Sequence, residues 1–206
     1  MSKAGGGGFG LFRAQREAAD MLERIRPHVV RAEVAGSVRR QRPLVHDVDL
    51  VVELDPADPW VMRRIEQVLA DVLAGDGASG HLRYRLVREG PSIVSFVQEA
   101  KDAHTQGWVP FGPALDLYIA TPETWGITLL IRTGSAAHNV KLTQVAYRML
   151  PTCKLAVSRG LVDLHGRVKA SRTEEEIFAA LGIEYVEPAK REAPEFESWV
   201  RDEAAV

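Results

Sequence analysis

Gly36-Ser37-Val38-Arg39-Arg40, then after a short gap Asp47-Val48-Asp49-Leu50, is the stretch on which the reading of this chain turns. A glycine–serine turn followed by two arginines suits phosphate: glycine admits close backbone approach, and arginine offers a charge-assisted fork. The two aspartates lie at i and i+2 in an apolar run that continues to Leu54. Alternate side chains of a strand share a face, so Asp47 and Asp49 point one way while Val48 and Leu50 point into a core. Two aligned carboxylates beside a phosphate-binding turn suit a pair of divalent cations about 3.5–4 Å apart, as in phosphoryl transfer. The plain alternative is a turn whose carboxylates cap local amides. The Gly-Ser-x-Arg-Arg motif at this distance favours the site.

Such a site calls for a third carboxylate on a neighbouring strand. Pro113-Ala-Leu-Asp-Leu-Tyr-Ile119 alternates Leu115, Leu117 and Ile119 with Asp116 and Tyr118, so Asp116 is the candidate. Paired beside residues 47–54, this segment would add Asp116 to the acidic face. Asp102, in a polar stretch, lacks that setting.

These motifs resemble those of family X DNA polymerases, the family of DNA polymerase beta, and more closely those of its bacterial branch. GSVRR followed by DVD is similar to that family's phosphate turn and first two metal ligands, and LDLY around Asp116 to the strand of the third. Thr133-Gly134-Ser135-Ala-Ala-His138-Asn139 resembles the turn and helix that hold the incoming nucleotide. Thr173-Glu-Glu-Glu-Ile-Phe178 through Tyr185-Val-Glu-Pro188 and Arg191-Glu192 resembles the C-terminal segment. The matches keep family order over residues 30–192.

The resemblance implies an α/β (α+β) nucleotidyltransferase palm with a mixed sheet and flanking helices, plus a small C-terminal helical/β subdomain. It implies that Asp47, Asp49 and Asp116 bind two Mg²⁺, which Mn²⁺ can replace, hard cations that favour carboxylate and phosphate oxygens. Asp116 would also accept the primer hydroxyl proton. Gly36, Ser37 and Arg40 would grip the phosphates. Thr133, Gly134 and Ser135 would admit the sugar and triphosphate, and Asn139 would reach the minor-groove edge of the base pair. Arg39 is expected to pair with an acid elsewhere, and His138 to be structural. The expected partners are primer–template or gapped DNA and deoxynucleoside triphosphates.

Five positions depart from the family. His46 precedes the first ligand where glycine is usual. Ile131-Arg132 stands where an aromatic pair gates the sugar, so relaxed selection, with ribonucleotides admitted, is expected. Tyr118 and Thr143 stand where arginines are usual, which points to low fidelity. The short segment before Gly36 and the end after Glu192 imply a minimal core without lyase or phosphoesterase modules.

Composition agrees. The 206 residues are 46% hydrophobic and 26% charged, ordinary for a globular chain of one large or two small domains. A single cysteine, Cys153, excludes an internal disulfide and fits a cytoplasmic protein. No apolar run approaches a membrane span, and the glycine-rich start is no signal peptide. The net charge of −2 conceals segregation: residues 132–172 hold eight Lys/Arg against the single acid Asp163. Lys141, Arg148 and Lys154 in that block are the candidate DNA contacts. The acidic stretch from Glu174 onward is expected to face away from DNA.

Helical spacing of Leu11, Ala14, Ala18, Leu22 and Ile25 predicts a first helix closed by Pro27, and residues 32–35 a short strand. Asp58-Pro59 with Val61, Ile65, Val68 and Val72 predicts a second helix before Gly75, and residues 76–80 a loop. Residues 81–87 and 92–98 read as a hairpin, residues 99–112 as an exposed loop, and Thr121-Pro122 as a helix start. A helix following Thr133-Gly134-Ser135 should end near Pro151. Thr173 with Glu176 reads as a capping box. The expected division is a catalytic palm over 1–122, with a flexible start over 1–10, a nucleotide-gripping subdomain over 123–192 and a tail over 193–206. A monomer suffices.

The leading reading is therefore a short-gap-filling repair polymerase. A template-independent terminal or RNA-tailing transferase of the same superfamily is the alternative, and a non-catalytic DNA-end-binding module the third.

Overall fold

The computed structural model describes residues 8–55, 60 and 82–192. The expected helix over 58–75, the loop over 76–80, the first seven residues and the tail over 193–206 lie outside these, Trp60 apart.

Alternation in the acidic segment sets the architecture. Strand β4 (Asp47–Glu53) buries Val48, Leu50 and Val52 on one face against helix α1 (Leu11–Ile25), whose Ala14, Ala18, Met21 and Ile25 form the matching stripe. Tyr84, Val94, Phe96, Leu115 and Leu117 complete that core. Strands β1 (Phe9–Gly10) and β3 (Leu44–Val45) form a small antiparallel pair beside it.

The main sheet is mixed. Strand β2 (Arg31–Val34) lies at one edge, followed by β4, β7 (Trp108–Ala120), β6 (Ile93–Lys101) and β5 (Leu82–Gly90). Among the described strands only the β4–β7 pair of this sheet is parallel, and its register sets Asp49 opposite Asp116. Both acids therefore share the face turned away from α1. Further along that face, Val51 and Tyr118 pack with Ile93, Ala35 and Ala120 under Trp125 and Leu129 of helix α3 (Trp125–Thr133). One end of the face is thus sealed by a helix, and the acids lie at the other.

A second core lies in the C-terminal part. Ile127 and Leu130 of α3 meet Leu142 and Ala146 of α4 (Ala136–Met149), and Ile177 and Phe178 of α5 (Glu174–Ala180). A three-stranded antiparallel sheet adds Leu155 of β8 (Cys153–Ala156), Leu161 of β9 (Gly160–Asp163) and Ala170 of β10 (Val168–Ala170). Helix α3 serves both this core and the apolar patch on the acid-bearing face of the main sheet. No helix among the described residues is long and apolar enough to cross a membrane.

Two expectations are corrected. Residues 99–112 are not a loop: β6 runs to Lys101 and β7 starts at Trp108, leaving only a tight turn. Asp102 forms that turn, its Oδ1 accepting from the Thr105 N–H at 2.7 Å, the His104 N–H at 3.0 Å and the Thr105 hydroxyl at 2.9 Å. Helix α3 begins at Trp125 instead of Thr121, because Thr121 and Thr124 first close a turn through the Thr124 N–H and the Thr121 carbonyl. The Thr173 cap holds, its Oγ1 accepting from the Glu176 N–H at 3.0 Å, while Glu176 reaches one residue further back than a capping box requires, to the Arg172 N–H at 3.1 Å.

Candidate active site

Helix α2 (Gly36–Arg39) is a single turn that leaves β2 directly above the acids. Gly36 has φ +59°, and a Cβ there would run into Asp49 Oδ2, so backbone strain and contact both require glycine. The Ala35 N–H donates to the Asp49 carbonyl at 2.8 Å, fixing the turn to β4. Ser37 Oγ is buried and has no hydrogen-bond partner.

The two arginines of the turn cross to Thr133, far along the chain. Arg39 Nη1 donates to Thr133 Oγ1 at 2.9 Å, and Arg40 Nη1 donates to the Thr133 carbonyl. The phosphate-type turn and the Thr133-Gly134-Ser135 turn therefore stand side by side. Gly134 adopts φ +70°, and the Gly134–Ser135 peptide is cis. Ser135 caps α4 by accepting from the His138 N–H at 3.3 Å, while its hydroxyl donates to the Arg191 carbonyl at 3.0 Å.

Arg39 meets its expected acids, and more than one. It pairs with Glu33 at 3.1 Å and with Glu174 at 2.8 Å. Glu174 also accepts from Arg191 Nη1 at 2.6 Å and from the Tyr185 hydroxyl at 3.2 Å. Arg191 is fully buried, its guanidinium 5.6 Å from the Phe178 ring centre and 5.4 Å from that of Tyr185. Glu174 thus faces inward, where two arginines compensate its charge. Arg40 is held likewise, by Glu192 at 2.8 Å, with Arg42 3.7 Å from the other carboxylate oxygen. Sequence reasoning assigned no role to Glu174 or Glu192. Their positions in the C-terminal motifs were the one available signal.

Asp49 is the most perturbed acid of the site. Burial, then the charges of Asp47 and Asp116, push its carboxyl up to about 7. The Tyr118 hydroxyl opposes this, lying 3.3 Å from Asp116 Oδ2 and also bonding Asp49. Among the described residues no three His, Cys, Asp or Glu side chains converge as a ready-made metal cage. The donor set still fits a hard divalent cation: carboxylate oxygens only, with a mutual repulsion that a cation would relieve.

Of the other predicted residues, Arg132 reaches this centre through Tyr118. Ile131 is half-buried, and Arg132 lies over the Tyr118 ring, 4.1 Å from its centre. Asn139 faces inward, its Nδ2 donating to the Ile131 carbonyl at 2.8 Å, and Thr143 Oγ1 donates to the Asn139 carbonyl at 3.0 Å. Lys141 is partly exposed; Arg148 and Lys154 are exposed. Asp163, the lone acid of the basic block, is consumed locally. It accepts from the Arg167 and His165 N–H groups, each at 2.9 Å, and from Arg167 Nε at 2.8 Å. These bonds, foremost that from the Arg167 N–H, hold it down at about 2.

His138 is 1% exposed, and burial, aided by the Arg191 charge, lowers it to about 4. The unfolded chain binds this proton from about pH 6.5 downward and the folded one only near 4, so stability is full above 6.5 and lost below it. Unfolding free energy should fall by about 1.4 kcal/mol per pH unit across that window on account of this group. Urea titrations of the unsubstituted protein and of His138→Leu check this: the stability difference between them should change by about 1.4 kcal/mol per pH unit across the window.

Residues 128–192 match the family model described as DNA polymerase beta thumb. Over 185 residues the chain is 26% identical to the DNA polymerase/3'-5' exonuclease PolX of Bacillus subtilis (strain 168), an alignment covering 88% of this chain. Through these two matches the chain is similar to family X DNA polymerases. It spans 27% of the length of that PolX. The thumb match takes in the end of α3, α4, the small sheet and α5 through Glu192, which together make the second core and the Thr133-Gly134-Ser135 turn.

Proposed function

We propose that this chain is a DNA-directed DNA polymerase that adds nucleotides to a primer 3′-hydroxyl in short gaps. The observation that carries this reading is the register of Asp49 against Asp116 beneath the Gly36 turn, with both arginines of that turn anchored on Thr133. Asp47, Asp49 and Asp116 would hold Mg²⁺, or Mn²⁺ in its place. When bound, the ions supply Lewis-acid activation of the hydroxyl and neutralise triphosphate charge. Asp116 takes the hydroxyl proton at its carboxylate. Ser37 offers its unpartnered hydroxyl, and Arg40 its guanidinium, to the phosphates. Gly36, Gly134 and Ser135 let backbone approach the triphosphate and sugar. Lys141, Arg148 and Lys154 grip the DNA backbone, making binding steeply salt-dependent. The division of labour falls near residue 122, with the palm before it and the thumb after. Repair in the cytoplasm, by a monomer, is the setting that fits this reading.

Glu192 occupies Arg40 where a phosphate oxygen would sit. Glu192→Gln should therefore tighten deoxynucleoside triphosphate binding, by about fivefold if the released pair is worth about 1 kcal/mol. Fluorescence titration with a labelled nucleotide reads this. Weaker binding would mean that Glu192 orients Arg40 instead of competing for it.

One observation favours a second reading, a terminal or tailing transferase. The amide of Asn139 and the hydroxyl of Thr143 are spent on backbone carbonyls, not held out toward a base pair. Extension with each templating base, using deoxy- and ribonucleotides separately, decides between them. Template-matched products support the polymerase; products indifferent to template support the transferase. Efficient ribonucleotide use would bear out an open gate at Ile131-Arg132.

A further inference from the structure

We propose that Tyr118 is a positioning residue for the metal-binding carboxylates, fixing Asp49 and Asp116 through its hydroxyl while Arg132 holds its ring. This rests on the nucleotidyl-transfer reading of the site.

Tyr118 follows Asp116 by two residues on β7 and so shares its face of the sheet. Val51 and Ile93 are its partners on the adjoining strands, and Trp125 and Leu129 cover it. The residue is 8% exposed, so packing fixes the ring and leaves the hydroxyl little freedom. That hydroxyl lies 3.3 Å from Asp116 Oδ2 and also bonds Asp49. One phenol group thus ties together the two acids that the β4–β7 register places opposite each other. Bonding at Oδ2 leaves Oδ1 of Asp116 for a cation and limits rotation of the carboxyl.

Arg132 completes the arrangement. Its guanidinium lies 4.1 Å from the Tyr118 ring centre, on the last turn of α3, one residue before Thr133. The segment that anchors Arg39 and Arg40 is therefore coupled, through one stacked pair, to the acids. Groups that orient carboxylate ligands from behind typically change metal affinity by about 10–100-fold when removed.

Tyr118→Phe keeps the ring and its packing but deletes the hydroxyl. Mn²⁺ titration of the full chain without nucleotide, followed by calorimetry or by the spin resonance of free Mn²⁺, should show about tenfold weaker binding. Arg132→Leu should weaken it in the same direction and by less, since Arg132 acts through the ring. In extension assays the Tyr118→Phe defect should appear in the Mn²⁺ half-saturation and be overcome at high Mn²⁺. Unchanged Mn²⁺ affinity in Tyr118→Phe, with affinity lost in Asp49→Asn, would overturn the proposal and leave the metal site standing. Tighter binding would overturn it too, showing that the hydroxyl competes with the cation. Absence of Mn²⁺ binding by the unsubstituted protein would remove the metal-dependent reading itself.

Discussion

Asp49→Asn is expected to lower nucleotidyl transfer by at least about a thousandfold, about 4 kcal/mol of barrier, while raising the melting temperature of the metal-free protein at pH 8. The two effects share a cause. Asp49 is buried beside Asp47 and Asp116, and its carboxyl is pushed up to about 7. Folding thus favours the protonated form. Between about pH 4 and 7 the unfolded chain releases this proton first, so stability falls as pH rises through that window and stays low above it. A neutral amide avoids the repulsion but cannot serve as an anionic ligand. Scanning calorimetry at pH 5 and pH 8 tests the stability half, and the stabilisation should shrink at the lower pH. Added Mg²⁺ should raise the melting temperature of the unsubstituted protein and leave that of Asp49→Asn nearly unchanged. A variant both inactive and destabilised at pH 8 would point to a structural role for Asp49.

Glu174→Ala is expected to be the most destabilising single change outside the apolar cores, by about 3–5 kcal/mol. Glu174 is 3% exposed and accepts from Arg39 at 2.8 Å and from Arg191 at 2.6 Å. Its loss would leave the fully buried Arg191 guanidinium without its carboxylate, and would free Arg39 from helix α5. Urea unfolding measures the loss. A double variant, Glu174→Leu with Arg191→Met, should be less destabilised than the sum of its parts, because no uncompensated charge then remains buried. Additive effects would show that the two side chains do not act as a pair. The same contact reaches the Thr133-Gly134-Ser135 turn, since Arg39 and Arg40 both bond Thr133.

The acidic strand was legible because its physics is local. Period-two alternation fixed the side on which Asp47, Asp49 and Asp116 would lie, and the structure sets Asp49 directly against Asp116. Helix α1, α4 and the Thr173 cap were legible for the same reason, each marked by spacing or by a capping residue. The strand content of residues 99–112 was hidden. Gly107, Pro110 and Gly112 read as loop residues, yet Trp108–Ala120 is one strand whose partner on β6 supplies the order. Non-local ion pairing was hidden too. Nothing near Glu174 or Glu192 in the chain announces that these acids reach Arg39, Arg40 and Arg191, contacts that exist only once the C-terminal core packs beside the main sheet. Tyr118 was visible as a departure from the family pattern. That its hydroxyl would return to Asp116 depended on a register and a packed ring that no spacing rule encodes.

The most direct test of nucleotidyl transfer is single-turnover extension of a labelled primer across a one-nucleotide gap, with Mg²⁺ and one deoxynucleoside triphosphate at a time. The unsubstituted chain should add the template-matched nucleotide, and Asp116→Ala, purified identically, should add none. Extension that persists in Asp116→Ala, or no extension by the unsubstituted chain while it still binds the gapped DNA, would contradict the polymerase account.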